Sequence, residues 1–160
     1  MRKIFVVASV AALAFAGGVT FITLTSAQTT QETSAAAVDA KAITIWRDPG
    51  CSCCDVYADY LEGNGFTVTR VDDRDFDKRS VDMGVPEKGI GCHLAEIDGY
   101  VVSGLVPVEI IERLVSERPD ITGITLPGMP GNAPGMAVAK SGTLKIYAFG
   151  KNGVMVYSDE

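Results

Sequence analysis

The chain has 160 residues, a formal net charge of −6, four cysteines and one histidine. That length suits one domain around one core. The acidic balance removes the electrostatic case for binding nucleic acid. A single histidine leaves little room for Ser-His-Asp chemistry, no carboxylate pair stands out, and the glycines form no phosphate-binding pattern.

In chain order, Arg2 and Lys3 open an apolar run from Ile4 to about Leu24 that ends in Thr25-Ser26-Ala27. This pattern is expected to be a secretory signal peptide over residues 1–27, cut before Gln28. An uncleaved anchor is the alternative, because the run approaches the roughly 20 apolar residues that a bilayer needs. Cleavage leaves about 133 residues, placed in the periplasm, with no membrane attachment and a net charge of −8 once Arg2 and Lys3 are gone. An oxidising compartment lets disulfides persist. Residues 28–41 are small and polar and are expected to be a linker, which leaves 42–160 as the folded domain.

"AITIW" (Ala42–Trp46) has the β-branched, apolar character of a buried strand, and "RDPG" breaks it. A helix is expected from about Cys53 to Glu62, where Val56, Tyr57, Tyr60 and Leu61 recur at helical spacing and "GNG" stops it. "FTVTRV" (Phe66–Val71) alternates as a strand, and a short helix is expected near Phe76–Met83. Asp98-Gly99 between Leu94–Ile97 and Tyr100–Ser103 marks a hairpin. Pro107 suits the first turn of a helix striped by Ile110, Ile111, Leu114 and Val115, which Pro119 ends. Leu126–Met136 is a Pro/Gly loop. Asn152-Gly153 marks a second hairpin, between "LKIYAF" and "VMVYS". The expected fold class is α/β, a thioredoxin-like mixed sheet with flanking helices and an added C-terminal hairpin. That resemblance rests on element order and on a cysteine-bearing strand-to-helix turn.

Cys51 and Cys54 form a C-x-x-C at that turn, where the free N–H groups and positive dipole of a helix start favour a thiolate. A thiolate serves both disulfide exchange and metal binding. Cys53 bears on the choice. A redoxin needs one attacking and one resolving sulfur, and a third thiol invites scrambling. A soft ion such as Cu(I) gains from it. In a thioredoxin-like fold the loop before the closing hairpin faces the C-x-x-C, which brings Cys92 and His93 to the same place. Redoxins carry a proline there, whereas the nearest here is Pro86.

Plainer readings accompany each residue. The cysteines could form two structural disulfides, one of them joining Cys51 or Cys54 to Cys92. His93 could be a hydrogen-bonded strand-edge residue. Met129 and Met136 could be thioether ligands, but packing under the loop is the commoner use of such methionines. Trp46 and the tyrosines fit the core. The cluster Asp72, Asp73, Asp75, Asp77 lacks the glycine and distal glutamate of an EF-hand and reads as a solvated turn.

Together "CSCCDVYADYLEGNGF", "GVPEKGIGCHLAEIDGYVVSGLVP" and "LPGMPGNAPGM" resemble the exported CopG-like copper-resistance proteins, also catalogued as domain of unknown function 411. The resemblance spans residues 42–158. It implies a thioredoxin-like fold and copper held by cysteines, with a cysteine-bridged Cu(I) cluster as the implied form. The matching metal positions are Cys51, Cys53, Cys54 and Cys92, and His93 matches the family's Cys-His pair. Where the family pattern has a histidine before Val-Pro, this chain has Leu105, which leaves copper stoichiometry and copper redox turnover open.

Three functions follow in order of preference. The first is a periplasmic Cu(I)-binding protein for copper resistance or handling, using Cys51, Cys53, Cys54, Cys92 and His93 and exchanging copper with other periplasmic copper-handling proteins. The second is a thiol-disulfide oxidoreductase using Cys51 and Cys54. The third is a structural zinc site, which the tight C-x-C-C spacing disfavours.

Overall fold

The computed structural model describes residues 41–137 and 140–160. The expected signal peptide and nearly all of the expected linker lie outside the described residues. Among those described, no helix is long and apolar enough to cross a membrane.

Among the described residues, seven strands form one mixed sheet in the order β2-β1-β3-β4-β5-β6-β7. β1 (Ala42–Arg47) pairs parallel with β2 (Thr67–Asp72) and antiparallel with β3 (Leu94–Ile97). α1 (Ser52–Gly63) is the crossover between β1 and β2, as parallel neighbours require. β3 and β4 (Tyr100–Ser103) make the antiparallel hairpin, with Asp98 and Gly99 both at positive φ in its turn. α2 (Phe76–Asp82) precedes the hairpin and α3 (Val108–Glu117) follows it. This is the expected order of a βαβ unit, a hairpin and a closing helix.

Strand periodicity assigns side chains to two layers. Ile43 and Ile45 of β1 point into a core with Ala95, Val102, Ile124 and Ile146. The same core takes Tyr57, Ala58 and Leu61 of α1 and Ile110, Ile111 and Leu114 of α3. Trp46 faces the other side, where it packs with Val85, Leu94, Val101 and Phe149, and the Arg79 guanidinium lies 5.3 Å from its ring centroid. Trp46 is therefore half-buried beneath a cation rather than enclosed.

β5 (Gly123–Thr125) was not expected. Its three residues are too few to show a period. It pairs parallel with β4 and antiparallel with β6 (Lys145–Gly150), so the added terminal hairpin of β6 and β7 (Gly153–Asp159) joins the central sheet through it. Gly123 allows this close approach: a Cβ there would sit 1.9 Å from the Val101 carbonyl oxygen. Pro107 lies just before α3, not within its first turn, and its carbonyl accepts from Ile110 and Ile111. Phe66 precedes β2 and is buried, with its N–H donating to the Leu61 carbonyl.

Candidate metal centre

The turn after β1 delivers the first three cysteines. The Asp48 carboxylate accepts from the Gly50 N–H at 2.9 Å, and the Asp48 carbonyl accepts from the Cys51 N–H at 3.0 Å. Short polar side chains commonly close turns in this way. Arg47 then pins the turn: its guanidinium meets Asp72 on β2 and Asp55 in the first turn of α1, each at 3.0 Å. Asp55 also suits the positive helix start. Cys51 occupies the position before α1, and Cys53 and Cys54 lie in its first turn.

Cys92 comes from the loop that leads into β3. Gly91 packs so tightly that a Cβ would meet the Cα of Gly104 at 2.3 Å. Its N–H donates to the buried Ser103 hydroxyl at 2.9 Å, and the Gly104 N–H donates to the His93 carbonyl at 3.1 Å. On its other side Gly91 bridges to Gly128 of the Pro/Gly loop. Gly135 of that loop lies against α1, where a Cβ would come within 2.8 Å of the Cys53 carbonyl and 3.2 Å of Leu105. The three segments that carried the resemblance thus meet at glycines, and at Gly91 and Gly135 an added Cβ would collide with neighbouring backbone.

The result is one cluster: the sulfurs of Cys51, Cys53, Cys54 and Cys92 all lie within 4.8 Å of one another. Cys51 and Cys54 are joined as a disulfide, and Cys53 and Cys92 are free. No disulfide reaches Cys92, so the reading of a Cys51 or Cys54 staple to Cys92 does not hold. Cys92 approaches Cys54 through its backbone instead, with its carbonyl oxygen 3.3 Å from the Cys54 sulfur. Cys53 Sγ lies 3.4 Å from Cys51 Sγ. Burial, and then the adjacent Cys53 thiol, push the Cys92 thiol up to about 12.

His93 is fully buried. Its ring lies 4.8 Å from that of Tyr57, and Nδ1 is 3.4 Å from the Cys92 sulfur. Among the described residues Nε2 has no hydrogen-bond partner. Burial holds the imidazole neutral, down to a pKa of about 3. His93 touches the sulfur cluster through Cys92 and does not belong to the four mutually close ligand atoms. Leu105 is fully buried beside the loop.

The methionines depart from the packing reading. Met129 and Met136 are 56% and 44% exposed, so neither packs under the loop. Met129 Sδ lies 3.9 Å from Cys53 Sγ, a contact that spacing alone could not show. The acidic turn behaves as expected: Asp73 accepts from Arg79 at 2.6 Å and from the Asp75 N–H at 2.9 Å.

Fold and site together define a thioredoxin-like protein whose helix-start dithiol is enlarged, by a third adjacent cysteine and a fourth from the facing loop, into a sulfur cluster suited to soft-metal chemistry. A family model described as "Protein of unknown function, DUF411" matches residues 90–136. Two solved structures, copper resistance protein CopG in its forms 2 and 1, are each 35% identical to the chain. They cover 74% of it and 97% and 96% of their own lengths, with TM-scores of 0.68 and 0.67. No curated protein matches. With that identity over nearly the whole of those relatives, the chain belongs to the CopG family of copper resistance proteins.

Proposed function

We propose that this chain is an exported copper-binding protein of copper resistance, holding Cu(I) on the thiolates of Cys51, Cys53, Cys54 and Cys92 in the periplasm. The observation that carries the reading is the convergence of four sulfurs within 4.8 Å from two distant segments. Soft thiolates favour Cu(I), and sulfurs this close can bridge more than one ion. His93 acts through Cys92: once a metal has displaced the thiol proton, Nδ1–H donates to the bound sulfur, and only a lone pair is left unpaired on Nε2. The apolar start of the chain supports export, and other periplasmic copper carriers are the expected exchange partners.

Copper redox activity fits the same residues. Two Cu(II) ions would each take one electron from the Cys51 and Cys54 thiolates, which join as the disulfide seen here, and an external dithiol would restore them.

The test is anaerobic titration of the fully reduced protein with Cu(I) against a chromogenic chelator. The expected result is more than one Cu(I) per chain, with Cys53→Ser lowering both affinity and capacity. Failure to compete with a weak chelator, or an unchanged Cys53→Ser variant, would remove the reading.

The Cys51–Cys54 disulfide favours a second reading, a thiol-disulfide oxidoreductase. It predicts metal-free reduction of a protein disulfide, abolished by Cys51→Ser and insensitive to Cys53→Ser.

A further inference from the structure

A disulfide at Cys51–Cys54 removes two thiolates from the cluster, yet soft donors remain around Cys53. Cys92 is a free thiol within 4.8 Å. The Met129 thioether lies 3.9 Å from Cys53 Sγ on the solvent side. We infer that the oxidised chain keeps a smaller site for a single Cu(I), formed by Cys53, Cys92 and Met129, and that reduction of Cys51–Cys54 enlarges it. The inference rests on the proposed copper-binding role and names the residues used in one thiol state.

The geometry suits a three-sulfur site. With metal–sulfur bonds of about 2.3 Å, trigonal coordination places sulfurs about 4 Å apart, and a nearly linear pair spans about 4.6 Å. The Cys53–Met129 separation matches the first value, and the Cys53 and Cys92 sulfurs lie within 4.8 Å of each other, close to the second. The donors are also held in common. The Gly128 N–H, next to Met129, donates to the Ile90 carbonyl, two residues before Cys92, and Gly128 bridges to Gly91. The loop carrying Met129 is therefore fastened to the loop carrying Cys92.

The chemistry is selective. Thioethers bind Cu(I) and add little for Zn²⁺. A thioether cannot be consumed by disulfide formation, so this donor persists when thiols pair. Two thiolates, one thioether and one Cu(I) leave a single negative charge, less than the four-thiolate set would carry around one ion. Exposure of Met129 puts its sulfur where an arriving ion meets the protein first.

The experiment uses the chain purified without reductant, with the Cys51–Cys54 disulfide verified by mass after alkylation. It is titrated anaerobically with acetonitrile-stabilised Cu(I) against a chromogenic chelator, and the coordination is read by X-ray absorption. One Cu(I) per chain with three sulfurs is expected. Met129→Leu should weaken oxidised-state binding by about tenfold and lower the sulfur count to two. Met136→Leu should alter neither. No Cu(I) on the oxidised chain beside normal loading of the reduced chain overturns the inference and spares the copper reading. A Met129→Leu variant with unchanged affinity and sulfur count overturns it as well. Absence of Cu(I) binding in both states removes both.

Discussion

Nδ1 of His93 lies 3.4 Å from Sγ of Cys92, while the opposite ring nitrogen is buried without a partner among the described residues. The only histidine of the chain is thus committed to one cysteine and closed to solvent. It is a neutral group that the fold cannot easily charge.

Acid should therefore destabilise the metal-free protein early. The folded pKa of His93, about 3, lies below the unfolded value near 6.5. The unfolded chain takes up the proton first, so this stabilisation is complete above pH 6.5 and is lost as pH falls from 6.5 towards 3. The slope is at most about 1.4 kcal/mol per pH unit. Urea denaturation from pH 7 to 4 should show it, and His93→Gln should flatten the profile. Parallel profiles for both proteins would contradict the assignment.

Thiol labelling should divide the cysteines into two pairs. Without reductant, alkylation and peptide mass mapping should mark Cys53 and Cys92 and leave Cys51 and Cys54 linked. Cys92 should react slowly near pH 7 and faster as pH rises, because its thiolate is scarce below its raised pKa. Rapid labelling of Cys92 at neutral pH would count against its buried setting.

Gly91→Ala should damage stability and site together. The new methyl would meet the Gly104 backbone at 2.3 Å, and no flexible side chain is there to move. A cost of about 1–3 kcal/mol is expected by thermal or denaturant unfolding, with weaker Cu(I) retention because Cys92 follows directly. Gly63→Ala, which meets nothing within 4 Å, is the control. Equal behaviour of the two variants would show that the Gly91–Gly104 contact is dispensable.

Tyr57→Phe probes the link between α1 and the segment before α3. The Tyr57 hydroxyl donates to the Val106 carbonyl at 2.6 Å in a fully buried setting. Losing it strands a buried acceptor, at about 1–3 kcal/mol. The expected signature is a lower unfolding midpoint with Cu(I) stoichiometry intact. Loss of copper at normal stability would place Tyr57 in the site itself.

Much of the fold was legible because its signals are local. Alternation in "AITIW", helical spacing from Val56 to Leu61 and the Asp98-Gly99 and Asn152-Gly153 turns each report on a few neighbouring residues, and β1, α1 and both hairpins formed there. β5 escaped because three residues carry no period, and its pairing depends on Gly123 meeting β4. The exposure of the methionines is hidden from the sequence for a related reason. An apolar side chain in a Pro/Gly loop gives no sign of direction, and only the folded loop turns Met129 outward beside Cys53.

The identity of the donors was written in the chain: three cysteines in four positions at a helix start, and one Cys-His pair before a hairpin. Which of them meet was decided by tertiary structure. Parallel pairing of β1 with β2, and antiparallel pairing of β1 with β3, bring the end of β1 beside the start of β3. Glycine contacts at Gly91, Gly104 and Gly135 then close the remaining gap. Those contacts are long-range and depend on the absence of side-chain atoms, so no periodicity or composition announces them. They bring Cys92 and the loop of Met129 to the sulfur cluster.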